Sequence, residues 1–177
     1  MSALVIDEFL SGSEQSSLSA LAYDYRKRGV LEGNPSGPKR FRRKVFDTVY
    51  YDQQIKLVAG RIVDRLGLHG CAVDPYLGWI ISYIEPGGFI KPHIDRHLHY
   101  QKTGDRHMRC NVLVQGDDAS AYPIIAGEPL IVRERGLWAF FASDYPHGTD
   151  ILQGDKPRIV YQFGFVVPGD YRLGRSA

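Results

Sequence analysis

The sequence predicts an α+β fold: helices first, then a β-rich part rolled into a sandwich or small barrel. Three observations carry this. Before residue 70, apolar side chains recur with the period of an amphipathic helix. After Pro75 they gather in short runs rich in aromatic and β-branched residues, and turns built on Gly, Pro and Asp separate those runs. No repeat or linker divides the 177 residues, so they read as one domain, helical over about 11–70 and β-rich over about 76–167.

The elements follow in order. Residues 4–10, Leu-Val-Ile-Asp-Glu-Phe-Leu, suit a short strand. Ser11, Ser13 and Glu14 offer a helix start, with a hydroxyl to cap the first turn and an acid inside it. That helix sets Leu18, Leu21, Ala22 and Tyr25 on one face and ends near Gly29. Residues 32–38, Glu-Gly-Asn-Pro-Ser-Gly-Pro, form a loop, because no regular element tolerates that composition. The basic run Lys39-Arg-Phe-Arg-Arg-Lys44 at its far end reads as a solvated face or as part of a mobile lid. A second helix is marked by Ile55, Val58, Ala59, Ile62, Val63 and Leu66, started by Asp52 and stopped by Gly67 and Gly70. Strands are expected at residues 76–84, 108–115, 129–134, 137–142 and 158–167. Trp79 and Trp138 read as core, and Cys71 and Cys110 as buried thiols without a catalytic role.

Composition narrows the function. Hydrophobic residues at 44% and charged residues at 24% exclude a disordered or fibrous chain. A net charge of +2 is too small to announce a nucleic-acid or acidic-membrane partner. Two cysteines are too few for a disulfide framework, no apolar run is long enough to span a bilayer, and the start of the chain carries acids where a secretory signal needs bases. A soluble, cytoplasmic protein without a membrane partner is expected.

One stretch carries chemistry: Tyr83-Ile-Glu-Pro-Gly-Gly-Phe-Ile-Lys-Pro-His93-Ile-Asp95. His93 and Asp95 are two apart, so on an extended strand end both side chains leave one face. His147, shortly after the apolar run Leu-Trp-Ala-Phe-Phe-Ala at 137–142, is the strongest candidate for a third ligand. Two imidazoles and one carboxylate leave coordination positions open, the pattern of non-haem Fe(II) sites, whereas zinc recruits more His or Cys. His97 and His99 extend the run, and either could replace a ligand. Arg158 opens a strand whose neighbours look buried, and a buried guanidinium needs an anion. Tyr83, ten residues before His93, could reach the same anion. Arg109 and Asn111 are either satisfied strand residues or polar contacts to a carboxylate, and Arg96 and the basic run could hold a substrate carboxylate.

Over roughly residues 76–167 the sequence resembles the Fe(II)- and 2-oxoglutarate-dependent dioxygenases, with Tyr83, Gly87, His93, Asp95, His147 and Arg158 in the family's order. It is most similar to the prolyl-hydroxylase-like branch, although Arg96-His-Leu-His99 stands where that branch often has an acidic, Gly-rich insert. The resemblance implies a double-stranded β-helix (jelly-roll, cupin-like) core with the N-terminal helices packed on one sheet. It implies Fe(II) held by His93, Asp95 and His147, and 2-oxoglutarate anchored by Arg158 and Tyr83, with Asn111 as a further contact. With O2 as oxidant, hydroxylation would release succinate and CO2. The expected substrate is an amino acid, a small amino-acid-derived metabolite or a peptide side chain, held in part by Arg96 and Arg109. Asp95 argues against halogenation, for which the family has a small residue at that position. Two alternatives stand beside this: a non-catalytic, metal-binding cupin-like module, and a nucleic-acid demethylase of the same superfamily. Against the second, Tyr161-Gln-Phe-Gly164 follows Arg158 with no second Arg nearby.

Overall fold

The computed structural model describes residues 3–45, 52–116 and 122–174. In chain order the elements are β1 (Ala3–Ile6), α1 (Gly12–Lys27), β2 (Glu32–Gly33), β3 (Arg40–Val45), α2 (Gln53–Leu66), β4 (Trp79–Ile84), β5 (Ile90–His93), α3 (Leu98–Thr103), β6 (Arg106–Gln115), β7 (Pro123–Ile125), β8 (Glu128–Pro129), β9 (Leu137–Phe141), β10 (His147–Thr149) and β11 (Arg158–Val167).

The two long helices begin and end where local chemistry dictates. Ser11 Oγ accepts from the Glu14 amide at 3.2 Å while the Glu14 carboxylate accepts from the Ser11 amide at 2.8 Å, a reciprocal capping box. Asp52 caps α2 by accepting from the Gln54 amide at 2.8 Å. Gly67 closes α2 in the left-handed region, φ 64°, where a residue without Cβ is favoured.

Two antiparallel sheets form the body. One has seven strands in the order β1-β9-β6-β11-β4-β3-β2, the other four in the order β5-β10-β7-β8. Because side chains alternate along a strand, the register sorts the large sheet into two faces. On one, Trp79, Ile81 and Tyr83 of β4 join Ile159, Tyr161, Phe163 and Phe165 of β11 and Met108, Cys110 and Val112 of β6. Leu18 and Ala22 of α1 and Ile55, Val58, Ala59 and Ile62 of α2 complete that core. On the other face, a smaller cluster joins Leu113, Trp138, Phe140 and Val160 to Ile125 of the small sheet. Polar residues share this second face.

The structure differs from the sequence-based expectation in five places. Glu32 and Gly33, inside the expected loop at 32–38, form β2 opposite Arg42 and Phe41 of β3. Residues 39–44 are not a loop margin: residues 40–45 form β3, paired along β4 from Arg40 opposite Ile84 to Val45 opposite Trp79. Within 129–134 only Pro129 is in a strand, and Arg133 to Gly136 close a turn onto β6. β5, β7 and β10 have three or four residues each, too few for a period of two to register. The short helix α3 lies where no helix is expected from the sequence. Among the described residues no helix is long and apolar enough to cross a membrane.

Candidate metal centre

The small sheet brings His93 and His147 together. β5 and β10 run antiparallel with these two residues as direct register partners, and their ring centroids lie 4.3 Å apart. Asp95, two residues past the end of β5, is tied down by its amide donating to the Ala142 carbonyl at 2.9 Å. One potential ligand atom from each of His93, Asp95 and His147 lies within 4.8 Å of the others. Each imidazole is oriented from behind: Nδ1 of His93 meets the Lys91 carbonyl at 2.8 Å and Nδ1 of His147 meets the Tyr145 carbonyl at 3.1 Å. A carbonyl only accepts, so Nδ1 carries the proton and the Nε2 lone pair is left for a metal. Those Nε2 atoms stand 3.5 Å and 3.7 Å from the Asp95 oxygens.

Electrostatics hold His147 and Asp95 in their ligating forms. Burial pushes His147 down to about 4, so its ring is neutral at physiological pH. Burial alone would raise Asp95, but the Arg109 guanidinium, 3.1 Å away, and the neighbouring histidines hold it at about 2. Two imidazoles and one carboxylate on one side of a cavity fit an octahedral divalent metal of the Fe(II) type with positions left open.

The cavity, about 270 Å³, lies between the triad and the second face of the large sheet. Rows of paired residues cross its floor. Arg40, Ile84 and Arg158 make one row, and Lys44, Ile80, Gln162, Asn111 and Trp138 another, four residue pairs further along. Beyond that, Arg109 sits opposite Phe140, next to Asp95. Burial, and then the charge of Arg40, push Arg158 down to about 9; burial, with Arg42 and Arg109, pushes Arg40 to about 10. Four buried atoms of the lining have no hydrogen-bond partner among the described residues: Asn34 Nδ2, Arg40 Nε, Asn111 Nδ2 and Trp138 Nε1. All four are donors, so what they await is an acceptor-rich ligand such as a carboxylate.

Of the residues singled out in the sequence, the structure gathers His93, Asp95, His147, Arg109, Asn111 and Arg158 around this cavity. It does not bring Tyr83 there. Tyr83 is odd-numbered on β4, and the cavity face of β4 carries even-numbered residues, so its ring turns to the helices and packs edge-on against Tyr23 at 5.7 Å. Arg96 is likewise outside: it is exposed and lines a separate depression with His97, Tyr100 and Asp144. His97 stacks on Tyr76, with centroids 3.6 Å apart, and is not part of the triad. The side chain of His99 lies outside the described residues. Trp138 is buried as expected of core, yet it also lines the cavity.

Sequence reasoning takes the basic run whole, as a solvated face, a lid or a substrate contact, without resolving which of its residues face the site, and it passes over a second group entirely. Arg40, Arg42 and Lys44 alternate on β3 and face the cavity, while Phe41 and Arg43 turn to the helices; the basic-x-basic-x-basic spacing is the available signal. The other is a buried chain behind Asp95. His107 Nδ1 lies 2.6 Å from Asp74 Oδ2, which also accepts from the Tyr100 hydroxyl, and His107 Nε2 faces Asp95 Oδ2 at 3.7 Å. The Tyr76 and Leu77 amides donate to the other Asp74 oxygen, both at 2.8 Å. Burial opposes the ionised form of Asp74, yet these donors keep it far below the usual carboxylate range. No local pattern marks Asp74 and His107, which are 33 residues apart.

No family model and no curated protein matches the chain. Solved structures do. A viral collagen prolyl hydroxylase from Paramecium Bursaria Chlorella virus-1, in complex with 2-oxoglutarate, superposes with a TM-score of 0.71 at 13% identity, over 94% of this chain and 97% of that one. A Pseudomonas putida prolyl-4-hydroxylase gives 0.64 at 14%, over 94% and 92%. HygX from Streptomyces hygroscopicus, with nickel and 2-oxoglutarate bound, gives 0.66 at 12%, over 98% and 85%. The fold is that of the 2-oxoglutarate/Fe(II) oxygenases. Helices on one face of a seven-stranded sheet and a short-stranded sheet across the other are therefore this chain's version of the double-stranded β-helix.

Proposed function

We propose that the protein is an Fe(II)- and 2-oxoglutarate-dependent dioxygenase that hydroxylates an amino acid, a small amino-acid-derived metabolite or a peptide side chain, releasing succinate and CO2. The observation that carries this reading is the His93-Asp95-His147 cluster at one end of a cavity whose floor holds the buried Arg158 further along. The metal and its co-substrate, when bound, supply the oxidising chemistry with O2. The chain supplies binding and order. His93, Asp95 and His147 would hold Fe(II), with Arg109 fixing the Asp95 carboxylate by a 3.1 Å ion pair. Arg158, with Arg40 in the same row, would anchor the far carboxylate of 2-oxoglutarate, and the unpartnered Asn111 Nδ2 would offer the co-substrate a separate donor further along the floor. Ile80, Ile90, Ile125, Trp138 and Phe140 wall the site with apolar surface that limits water.

The cavity, at about 270 Å³, falls just below the usual ligand-site range of about 300–1,000 Å³. That favours a small molecule over a long peptide. Cys71 and Cys110 are both free thiols, which suits the reducing cytoplasm we assign to the protein. The test is conversion of 2-oxoglutarate to succinate under air. We expect turnover that requires Fe(II), is abolished in His147→Ala, and shows a 2-oxoglutarate KM raised about 10²-fold in Arg158→Gln, the scale of losing a charge-assisted bidentate contact. Turnover equal in wild type and His147→Ala would overturn the assignment.

A further inference from the structure

Trp138 packs its ring into the apolar cluster on the cavity side of the large sheet, yet its indole N–H has no acceptor among the described residues. Asn111 is its direct register partner on β6, and Asn111 Nδ2 lacks an acceptor too. Trp138 is 2% exposed and Asn111 1%, so bulk water serves neither donor. An indole nitrogen donates and never accepts. The Asn111 amide is committed as well: Gln162 Nε2 donates to its Oδ1 at 3.0 Å, which uses the oxygen and leaves the Nδ2 protons over. A buried donor left unpaired is costly, and here two of them sit on adjacent strands that line one cavity. A bound acceptor would satisfy both.

Position narrows the choice of acceptor. Two residues before Asn111 on β6, roughly 7 Å at the rise of an extended strand, is Arg109, which pairs with Asp95 of the triad. Phe140, two residues after Trp138, packs edge-on against His147 with ring centroids 4.9 Å apart. In the other direction Arg158 lies four residues before Gln162, the β11 partner of Asn111. Its guanidinium reaches back over the floor until Cζ is 5.6 Å from the centre of the Trp138 ring. The two donors therefore stand on the path from the triad to Arg158. On the reading proposed above, on which this inference rests, 2-oxoglutarate follows that path, with its far carboxylate at Arg158 and its 2-oxo-acid end at the metal. The Asn111–Trp138 row is nearer the Arg109 row than the Arg158 row, so it falls beside the 2-oxo-acid end.

We propose that the Trp138 indole N–H and the Asn111 amide together hold the 2-oxo-acid end of 2-oxoglutarate, so that Trp138 is a co-substrate-binding residue and not packing alone. Fluorescence and calorimetry under anaerobic conditions test this on the protein loaded with Fe(II). The chain has two tryptophans, and Trp79 lies on the opposite face of the sheet, in the helix-side core against Phe163 with ring centroids 5.1 Å apart. Adding 2-oxoglutarate should change the indole emission of wild type and of Trp79→Phe and leave that of Trp138→Phe unchanged. Trp79→Phe reports on Trp138 in an intact cavity wall, so the outcome does not hang on the folding of Trp138→Phe. In calorimetry Trp138→Phe and Asn111→Leu should each weaken 2-oxoglutarate about tenfold or more, the scale of losing one hydrogen bond to a charged group. The second probe, 2-oxovalerate, keeps the 2-oxo-acid end and lacks the far carboxylate. Trp138→Phe should weaken it by the same factor, whereas Arg158→Gln should weaken 2-oxoglutarate alone. Fe(II) affinity without co-substrate should stay within about twofold of wild type in Trp138→Phe and Asn111→Leu, which separates a lost contact from a damaged site. The proposal is overturned, and the oxygenase reading left standing, if both variants bind 2-oxoglutarate as wild type does, if the loss in Trp138→Phe is confined to 2-oxoglutarate, or if Trp79→Phe binds 2-oxoglutarate without a change in emission. Wild type that binds no 2-oxoglutarate overturns both.

Discussion

His147 shows how one side chain is prepared for its role. Its Nδ1 proton is committed to the Tyr145 carbonyl, its ring is mostly buried, and burial lowers its pKa from the ordinary 6.5 to about 4. The stability consequence has a definite sign. In the unfolded chain this histidine takes up a proton near pH 6.5; in the folded metal-free protein it resists doing so until about pH 4. The folded state is therefore fully favoured above pH 6.5 and loses up to about 3 kcal/mol as pH falls to 4. Chemical denaturation of the metal-free protein at about pH 7 and about pH 4.5 should show this loss, and His147→Gln should remove most of it. Tyr83 teaches the opposite lesson. Its distance from His93 in sequence matches the oxygenase pattern, but a strand reads parity, and an odd-numbered residue on β4 faces the helices. Tyr83→Phe should therefore leave the 2-oxoglutarate KM within about twofold of wild type, whereas the Arg158 variant changes it by orders of magnitude. An equal effect of the two variants in the succinate assay would show that the tyrosine reaches the co-substrate after all.

Elements with strong local chemistry are legible in the amino-acid sequence. Ser11, Asp52 and Gly67 mark helix ends because capping is local, and the Ile55 to Leu66 stripe marks a helix because six residues repeat one period. β5, β7 and β10 escape the pattern because three or four residues, held by pairing with distant segments, carry almost no periodic signal. β3 escapes for another reason: its cavity face is cationic, so the alternation runs between charged and apolar-packing positions and resembles a solvated run. The short elements nevertheless set the ligand geometry. Gly148 sits between His147 and Thr149, and a Cβ there would stand 2.7 Å from the Ile90 carbonyl oxygen and 3.2 Å from the Pro92 nitrogen. Gly148→Ala should thus push β5 away from β10 and weaken Fe(II) binding by about tenfold or more in a metal-competition titration, on the scale of losing support behind a metal ligand. By contrast Ile62→Ala, in the helix core far from the cavity, should cost about 2–5 kcal/mol in urea denaturation and leave Fe(II) affinity unchanged.

At the scale of the molecule, the candidate site exists only because two sheets face each other. The small sheet supplies His93 and His147, the large one supplies Arg40, Arg42, Lys44, Arg109, Asn111 and Arg158, and Asp95 bridges the two through Arg109. The order of the triad and the late arginine can be read along the chain, because a shared fold preserves order. The β3 wall and the Asp74-His107 chain cannot, since only folding places them beside the triad. If this shared space binds Fe(II) and 2-oxoglutarate together, anaerobic titration of the metal-free protein, first with Fe(II) and then with 2-oxoglutarate, should reveal it. A weak visible charge-transfer band is expected, lost in His93→Ala and needing far more 2-oxoglutarate in Arg158→Ala. A folded wild-type protein that gives no band would refute joint binding, leaving the oxygenase fold as a likeness of architecture alone.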